Sequence, residues 1–182
     1  MKTIVSEVLC TTEVKRSKFL AYLVPIEKTK GFQEQLKKEH PKANHVVYAM
    51  RWLNGFEQIV ESSSDDGEPK GSAGVPALNV LRGEELIACG VFIVRYFGGI
   101  KLGTGGMARA YALSVKNSLA EATLVAYKKK IEYTFSSTYS EIEQVLYRLK
   151  KENIGVEHRE FGLEDVQWVV RGEEEAIKKL PW

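Results

Sequence analysis

An α+β fold in two domains is predicted by three features of this 182-residue chain. Short β-type runs alternate with helical stripes along its whole length. The order of elements starts afresh after the basic run Lys128-Lys129-Lys130. The restarted order reads β-α-β-β-α, which is that of a small ferredoxin-like sandwich. Boundaries are therefore expected at 1–126 and 127–182.

Residues 4–9 and 19–24 are rich in Val, Ile, Leu and aromatics, and predict two strands in a hairpin around the basic turn Lys15-Arg16-Ser17-Lys18. Thr29 is placed to cap a helix that carries Phe32 and Leu36 on one face and stops before Pro41. From His45 the residues alternate. Val46, Tyr48, Met50 and Trp52 are assigned to the core face, and His45, Val47, Ala49 and Arg51 to the opposite one. Gly55 turns the chain into a partner strand over 56–61, and the polar run 61–64 reads as a loop. After Pro76 a short helix over 77–81 leads to a strand over 87–97. Its continuous Val91-Phe92-Ile93-Val94 run predicts burial on both faces.

A long helix is expected over 106–123, with Met107, Tyr111, Ser114, Ser118 and Ala122 on one stripe and Ala110, Val115 and Leu119 beside it. The second domain then reads as a strand over 131–135, a helix over 140–152, strands over 156–161 and 166–171, and a helix from Glu173. The usual last strand of a ferredoxin-like sandwich is missing from this order.

Composition narrows the function classes. With 44% apolar and 27% charged residues the chain is an ordinary globular one. Its 26 basic and 24 acidic residues give a net charge of +2, so a case for nucleic acid must rest on local patches rather than on bulk charge. Cys10 and Cys89 stand alone, without C-x-x-C or metal-ligand spacing, which points to a reducing, cytoplasmic setting. No apolar run is long enough for a membrane span, and Glu7 interrupts anything like a signal peptide.

The chemistry concentrates in residues 62–111. An acidic turn, Ser64-Asp65-Asp66-Gly67-Glu68-Pro69, precedes Gly71-Ser72-Ala73-Gly74. Further on, Val94-Arg95-Tyr96-Phe97 enters Gly98-Gly99-Ile100-Lys101-Leu102-Gly103-Thr104-Gly105-Gly106. A strand, a glycine-rich turn and a helix N-terminus together offer free N–H groups and a positive dipole end to a phosphate or carboxylate. Arg95, Lys101 and Arg109 surround the loop and Thr104 adds a hydroxyl, so Arg95, Lys101 and Arg109 are expected to converge on one anion. The loop matches neither the P-loop nor G-x-G-x-x-G. The plainer reading is that Gly98, Gly99, Gly103, Gly105 and Gly106 only permit a tight turn and close helix-sheet packing.

Asp65, Asp66 and Glu68 admit three readings. They have the oxygens to bind a divalent cation or to act as a base, but D-D-G-E lacks EF-hand spacing, and turn formation or orientation of Arg95 and Lys101 is the favoured role. His45 stands as a candidate acid-base group beside the plainer reading of a hydrogen-bonded structural histidine. No nucleophile elbow and no zinc pair occurs, so no catalytic residue, metal site or cofactor is assigned.

These motifs, with Arg16-Ser17-Lys18-Phe19, Ala43-Asn44-His45 and Gly105-Gly106-Met107-Ala108-Arg109-Ala110-Tyr111, resemble the signature of the IMPACT family, including its bacterial YigZ-like branch. The resemblance covers nearly all of residues 1–125. Ser72, Asn44 and Met107 depart from the usual Thr, Thr and Leu, conservatively in size and polarity.

The resemblance implies an N-terminal β-α domain of the ribosomal-protein and GHMP-kinase type, followed by a C-terminal domain like the ferredoxin-like last domain of elongation factor G. It also implies regulation of translation, or of its stress response, rather than catalysis. Eukaryotic relatives bind the ribosome-associated activator of an amino-acid-starvation kinase, a partner that does not carry over to prokaryotes. The partner expected here is RNA or a ribosome-associated protein in the cytoplasm, with no membrane role and no DNA specificity. Two alternatives stand beside it: an enzyme acting on a phosphorylated small molecule, since the loop echoes the GHMP phosphate loop, and a protein-protein adaptor whose groove holds an acidic peptide.

Overall fold

The computed structural model describes residues 1–182 as two compact units, Met1–Tyr127 and Lys128–Trp182. Unit 1 contains β1 (Lys2–Ile4), β2 (Val8–Val14), β3 (Ser17–Pro25), α1 (Phe32–Glu39), β4 (His45–Leu53) and β5 (Ile59–Ser64). It continues with α2 (Gly74–Gly83), β6 (Cys89–Tyr96), α3 (Gly103–Glu121) and β7 (Leu124–Ala126). Five strands form an antiparallel sheet in the order β2-β3-β6-β4-β5, while β1 and β7 pair separately near the two ends of the unit.

Helices cover both faces of the large sheet. On one, α2 and α3 press Ala77, Leu81, Tyr111 and Val115 onto Phe19, Val47, Val91 and Ile93. On the other, α1 sets Leu36 against Val24, Val46, Phe92 and Val94. Strand β6 is central and buried along nearly its whole length, as its continuous apolar run predicts. Each large side chain fully buried there contributes about 1.5–3 kcal/mol.

Several boundaries differ from the sequence expectation, each for a tertiary reason. Thr29 does not cap α1: its hydroxyl donates to the Ile26 carbonyl at 2.7 Å, and Gly31 starts the helix. The polar run Glu61–Ser64 is strand, because its backbone pairs with Tyr48–Arg51 at the sheet edge, where ladder hydrogen bonds outweigh composition. Helix α3 begins three residues early, since packing of its buried stripe overrides the low propensity of Gly103, Gly105 and Gly106. Residues 4–9 split between β1 and β2, and the hairpin formed is β2-β3. The faces of β4 are also reassigned. Val47 and Ala49 belong to the larger core under α2 and α3, while Val46, Tyr48 and Met50 pack on the α1 side, so His45 and Arg51 point toward the two-helix layer.

The β2-β3 turn is formed by Lys15 and Arg16, both at positive φ, between the paired Val14 and Ser17. Such two-residue turns normally use Asn-Gly or Gly-Gly.

Unit 2 comprises β8 (Lys130–Thr138), α4 (Ile142–Lys151), β9 (Gly155–Phe161), β10 (Asp165–Glu173) and α5 (Glu174–Ile177), with sheet order β8-β10-β9. Phe135, Val166, Trp168 and Val170 face α4 residues Val145 and Leu149. Glu132, Thr134, Ser136 and Gln167 alternate with them and stay exposed, the signature of a sheet covered on one side. Both Trp168 and Trp182 stack on Phe135, and no strand follows α5. No helix of the chain is long and apolar enough to cross a membrane.

Candidate functional site

The motifs of residues 62–111 meet at the end of β6, beneath the start of α3. Phe19, Arg95 and His45 stand in register on the adjacent strands β3, β6 and β4, on the two-helix face of the sheet. Arg95 is 6% exposed. Its Nη1 donates to Glu68 Oε1 at 2.6 Å and lies 3.2 Å from Met107 Sδ, and its guanidinium sits over the rings of Phe19 and Phe97. Tyr111 donates its hydroxyl to the same Glu68 oxygen at 2.7 Å. Burial first, then the Glu68 charge, drives the Tyr111 hydroxyl far above its ordinary range, so it remains a donor. Arg95 Nε, buried, has no acceptor, a cost accepted within this ion pair.

The acidic turn is spent on the protein's own donors. Asp65 accepts from the N–H groups of Gly71, Ala73 and Gly74 at 2.8, 3.1 and 2.8 Å, and so caps α2 from outside the helix. Burial pushes the Asp65 carboxyl up, but these three donors outweigh it and hold the group below the usual aspartate range. Asp66 accepts from Val46 N–H at 2.7 Å and pairs with Lys37 at 2.7 Å, tying β4 and α1 to the turn. Its carbonyl accepts from His45 Nδ1 at 2.7 Å, which places the proton on Nδ1 and leaves Nε2 3.6 Å from Glu68 Oε2.

Asp65→Asn is expected to destabilise unit 1 by about 1 kcal/mol at neutral pH, because the amide loses the charge and one of the two acceptor oxygens, the one that takes Gly71 N–H. A folded pKa below the unfolded one gives stability that is present above the unfolded value and lost as pH falls through the folded one. The difference between wild type and Asp65→Asn should therefore shrink below about pH 4. Urea titrations across pH test this, and a difference that persists in acid would contradict it.

The glycine loop runs from Phe97 to Leu102. Gly98 is fixed by close approach: a Cβ there would stand 2.0 Å from the Arg16 carbonyl carbon, and its N–H donates to Ser17 Oγ at 3.2 Å. Gly99 adopts φ +86°, open to glycine at little cost. Helix α3 starts with Gly103, Thr104, Gly105 and Gly106, with no side-chain cap and no acid in its first turn. The N–H groups of that turn have no intrahelical partner. Lys101, Thr104 and Arg109 are exposed, and Arg109 Nη1 lies 3.4 Å from where a Gly105 Cβ would stand, so its guanidinium folds back over the first turn.

Arg95 thus departs from the expected convergence with Lys101 and Arg109. It is buried and consumed by Glu68, because the end of β6 lies under α3 rather than in solvent. Glu68 holds Arg95, whereas no carboxylate of the turn reaches Lys101 through a hydrogen bond or ion pair. Ser17, Met107 and Tyr111 complete the buried cluster and were not singled out from sequence. Their signal lay in the Arg16-Ser17-Lys18-Phe19 run and in the α3 stripe.

Residues 15–119 match the family model described as Impact N-terminal domain. Over 132 residues the chain is 39% identical to an IMPACT family member of Haemophilus influenzae (strain ATCC 51907 / DSM 11121 / KW20 / Rd), a match covering 71% of this chain and 63% of that protein. Over 135 residues it is 37% identical to the IMPACT family member YigZ of Escherichia coli (strain K12), covering 71% and 65%. The chain therefore spans just under two thirds of the length of these curated relatives. A solved structure described as that of a hypothetical protein is similar with TM-score 0.66 and 29% identity, over 98% of this chain and 87% of its own. Since the family model takes in the basic turn, the acidic turn, the glycine loop and most of α3, where the site's geometry lies, the chain belongs to the IMPACT family.

Proposed function

We propose that this protein is a non-enzymatic, translation-related binding protein that takes RNA or a ribosome-associated partner at the glycine loop. The observation that carries the reading is the first turn of α3: unpaired N–H groups, no acid and no cap, with Arg109 folded over it and exposed Lys101 just before it. A cation beside a helix N-terminus opposes the macrodipole, and a bound anionic group relieves that opposition. Arg95 and Glu68 position this surface from below, through Met107 and Tyr111. The translational role rests on family membership together with what the resemblance implies for the family.

The domain architecture is part of the same proposal. Unit 1 is taken as the ribosomal-protein and GHMP-kinase type, and unit 2 as a ferredoxin-like sandwich without its last strand, supported by the strand order β8-β10-β9.

If RNA binds, log affinity should fall linearly with log salt, and Lys101→Ala should reduce the slope by about 0.7–0.9, one phosphate contact. Filter binding across a salt series measures this. Folded Lys101→Ala and Arg109→Ala proteins that bind RNA and purified ribosomes as wild type does would overturn the site assignment. Magnesium-dependent ATP binding with a dissociation constant of about 1 μM or tighter, about −8 kcal/mol, would instead favour the phosphoryl enzyme.

A further inference from the structure

We infer that the glycine-loop surface recognises single-stranded rather than duplex RNA, by stacking an unpaired base on Phe97; this rests on the RNA reading given above. Phe97 is 47% exposed although it directly follows the buried strand β6, and its neighbour Ile100 is 42% exposed. Its position is fixed. The Phe97 N–H donates to Asn44 Oδ1 at 2.8 Å, and the buried Arg95 guanidinium sits over the ring at 5.8 Å from the centroid. A ring held by its backbone, backed by a cation and open to solvent is a stacking platform whose ordering cost is already met.

Cations surround it. Gly98 packs directly on the backbone of Arg16 and Ser17, which brings the exposed Lys15 and Arg16 against the loop. Those two residues hold positive φ where Asn or Gly is favoured, so turn propensity does not account for their presence. Through Arg95 Nη1 and Met107 Sδ, 3.2 Å apart, Phe97 is linked to the start of α3, where Lys101 and Arg109 lie. No acidic residue occurs between Glu85 and Glu121. Glu68 is neutralised by Arg95, and exposed Glu13, two residues before the turn in sequence, stands opposite Lys18 in the β2-β3 ladder. The surface is therefore cationic with an apolar, aromatic centre.

That combination selects the strand state of its ligand. In a duplex the base faces are occupied by their neighbours and only phosphates and groove edges are offered, so the cations would be satisfied and Phe97 would remain in water. An unpaired strand offers both phosphate and a free π-face.

The test uses the full chain with a fluorescein-labelled, unstructured uridine-rich RNA of about ten nucleotides, alone and annealed to its complement, read by fluorescence anisotropy. The single strand is expected to bind at least tenfold more tightly than the duplex. Phe97→Ala should weaken the single strand about tenfold and leave duplex affinity unchanged, and Phe97→Trp should restore it. Thermal melts of each variant establish that the exposed position leaves the fold intact. Equal affinity for both forms, or a folded Phe97→Ala protein with wild-type binding, overturns the stacking inference while RNA binding stands. Binding of neither form overturns the RNA reading and this inference together. Capture by anionic phospholipid vesicles without RNA binding does the same, and assigns the surface to a membrane.

Discussion

Glu68→Gln is expected to destabilise unit 1 by about 3–5 kcal/mol, the cost of leaving one partner of a buried pair uncompensated. Glu68 has a side chain only 3% exposed and one oxygen that receives both Arg95 and Tyr111. Glutamine keeps the shape but removes the charge, and the Arg95 guanidinium, whose Nε already lacks an acceptor, is left buried among Phe19, Phe97 and Met107. Arg95→Met should lose a similar amount. The double variant should recover part of the loss, since it leaves no buried charge without its partner and the glutamine carbonyl can still accept from Tyr111. Urea unfolding of the four proteins gives the coupling energy directly. A single-variant cost under about 1 kcal/mol would show that the pair is solvated in solution and does not organise the loop.

Trp168→Ala should remove about 3–5 kcal/mol from unit 2, enough to unfold a small unit with a limited core. Trp168 is fully buried, stacks on Phe135 with ring planes 8° apart, and donates its indole N–H to Ser137 Oγ at 2.9 Å. The cavity and the lost hydrogen bond to Ser137 Oγ, which keeps its own bond to the Thr138 carbonyl at 3.2 Å, add to the lost burial. If the two units are separate folding domains, amide resonances of residues 1–127 keep their dispersion while those of 128–182 collapse to random-coil positions. Glu68→Gln should give the reverse selectivity. Loss of both sets in either variant would show one cooperative unit and remove the domain proposal.

The order of β-type and helical segments, the buried run of β6, the passage from glycine loop to long helix and the buried stripe of α3 were all legible in the sequence. Each depends on side-chain periodicity or on backbone freedom at glycine, which are local properties. The IMPACT signature was legible for the same reason, as a set of residue types at fixed spacing.

Tertiary structure alone decided the roles within the site. Both faces of β4 carry apolar side chains, so periodicity leaves open which side receives two helices, and His45 turned out to face them. The polar Glu61–Ser64 segment became strand because an edge of β4 was open to its backbone. Asp65 became the cap of α2, and the Lys2–Ile4 and Leu124–Ala126 segments found each other across nearly the whole unit. Arg95, in sequence a cation beside a glycine loop, is in space the buried partner of Glu68, and exposed Phe97 shares its guanidinium. A sequence lists which charges and rings exist. Which of them lose water is fixed only when distant segments pack, and removal from water decides whether a charge organises the core or remains free to bind a ligand.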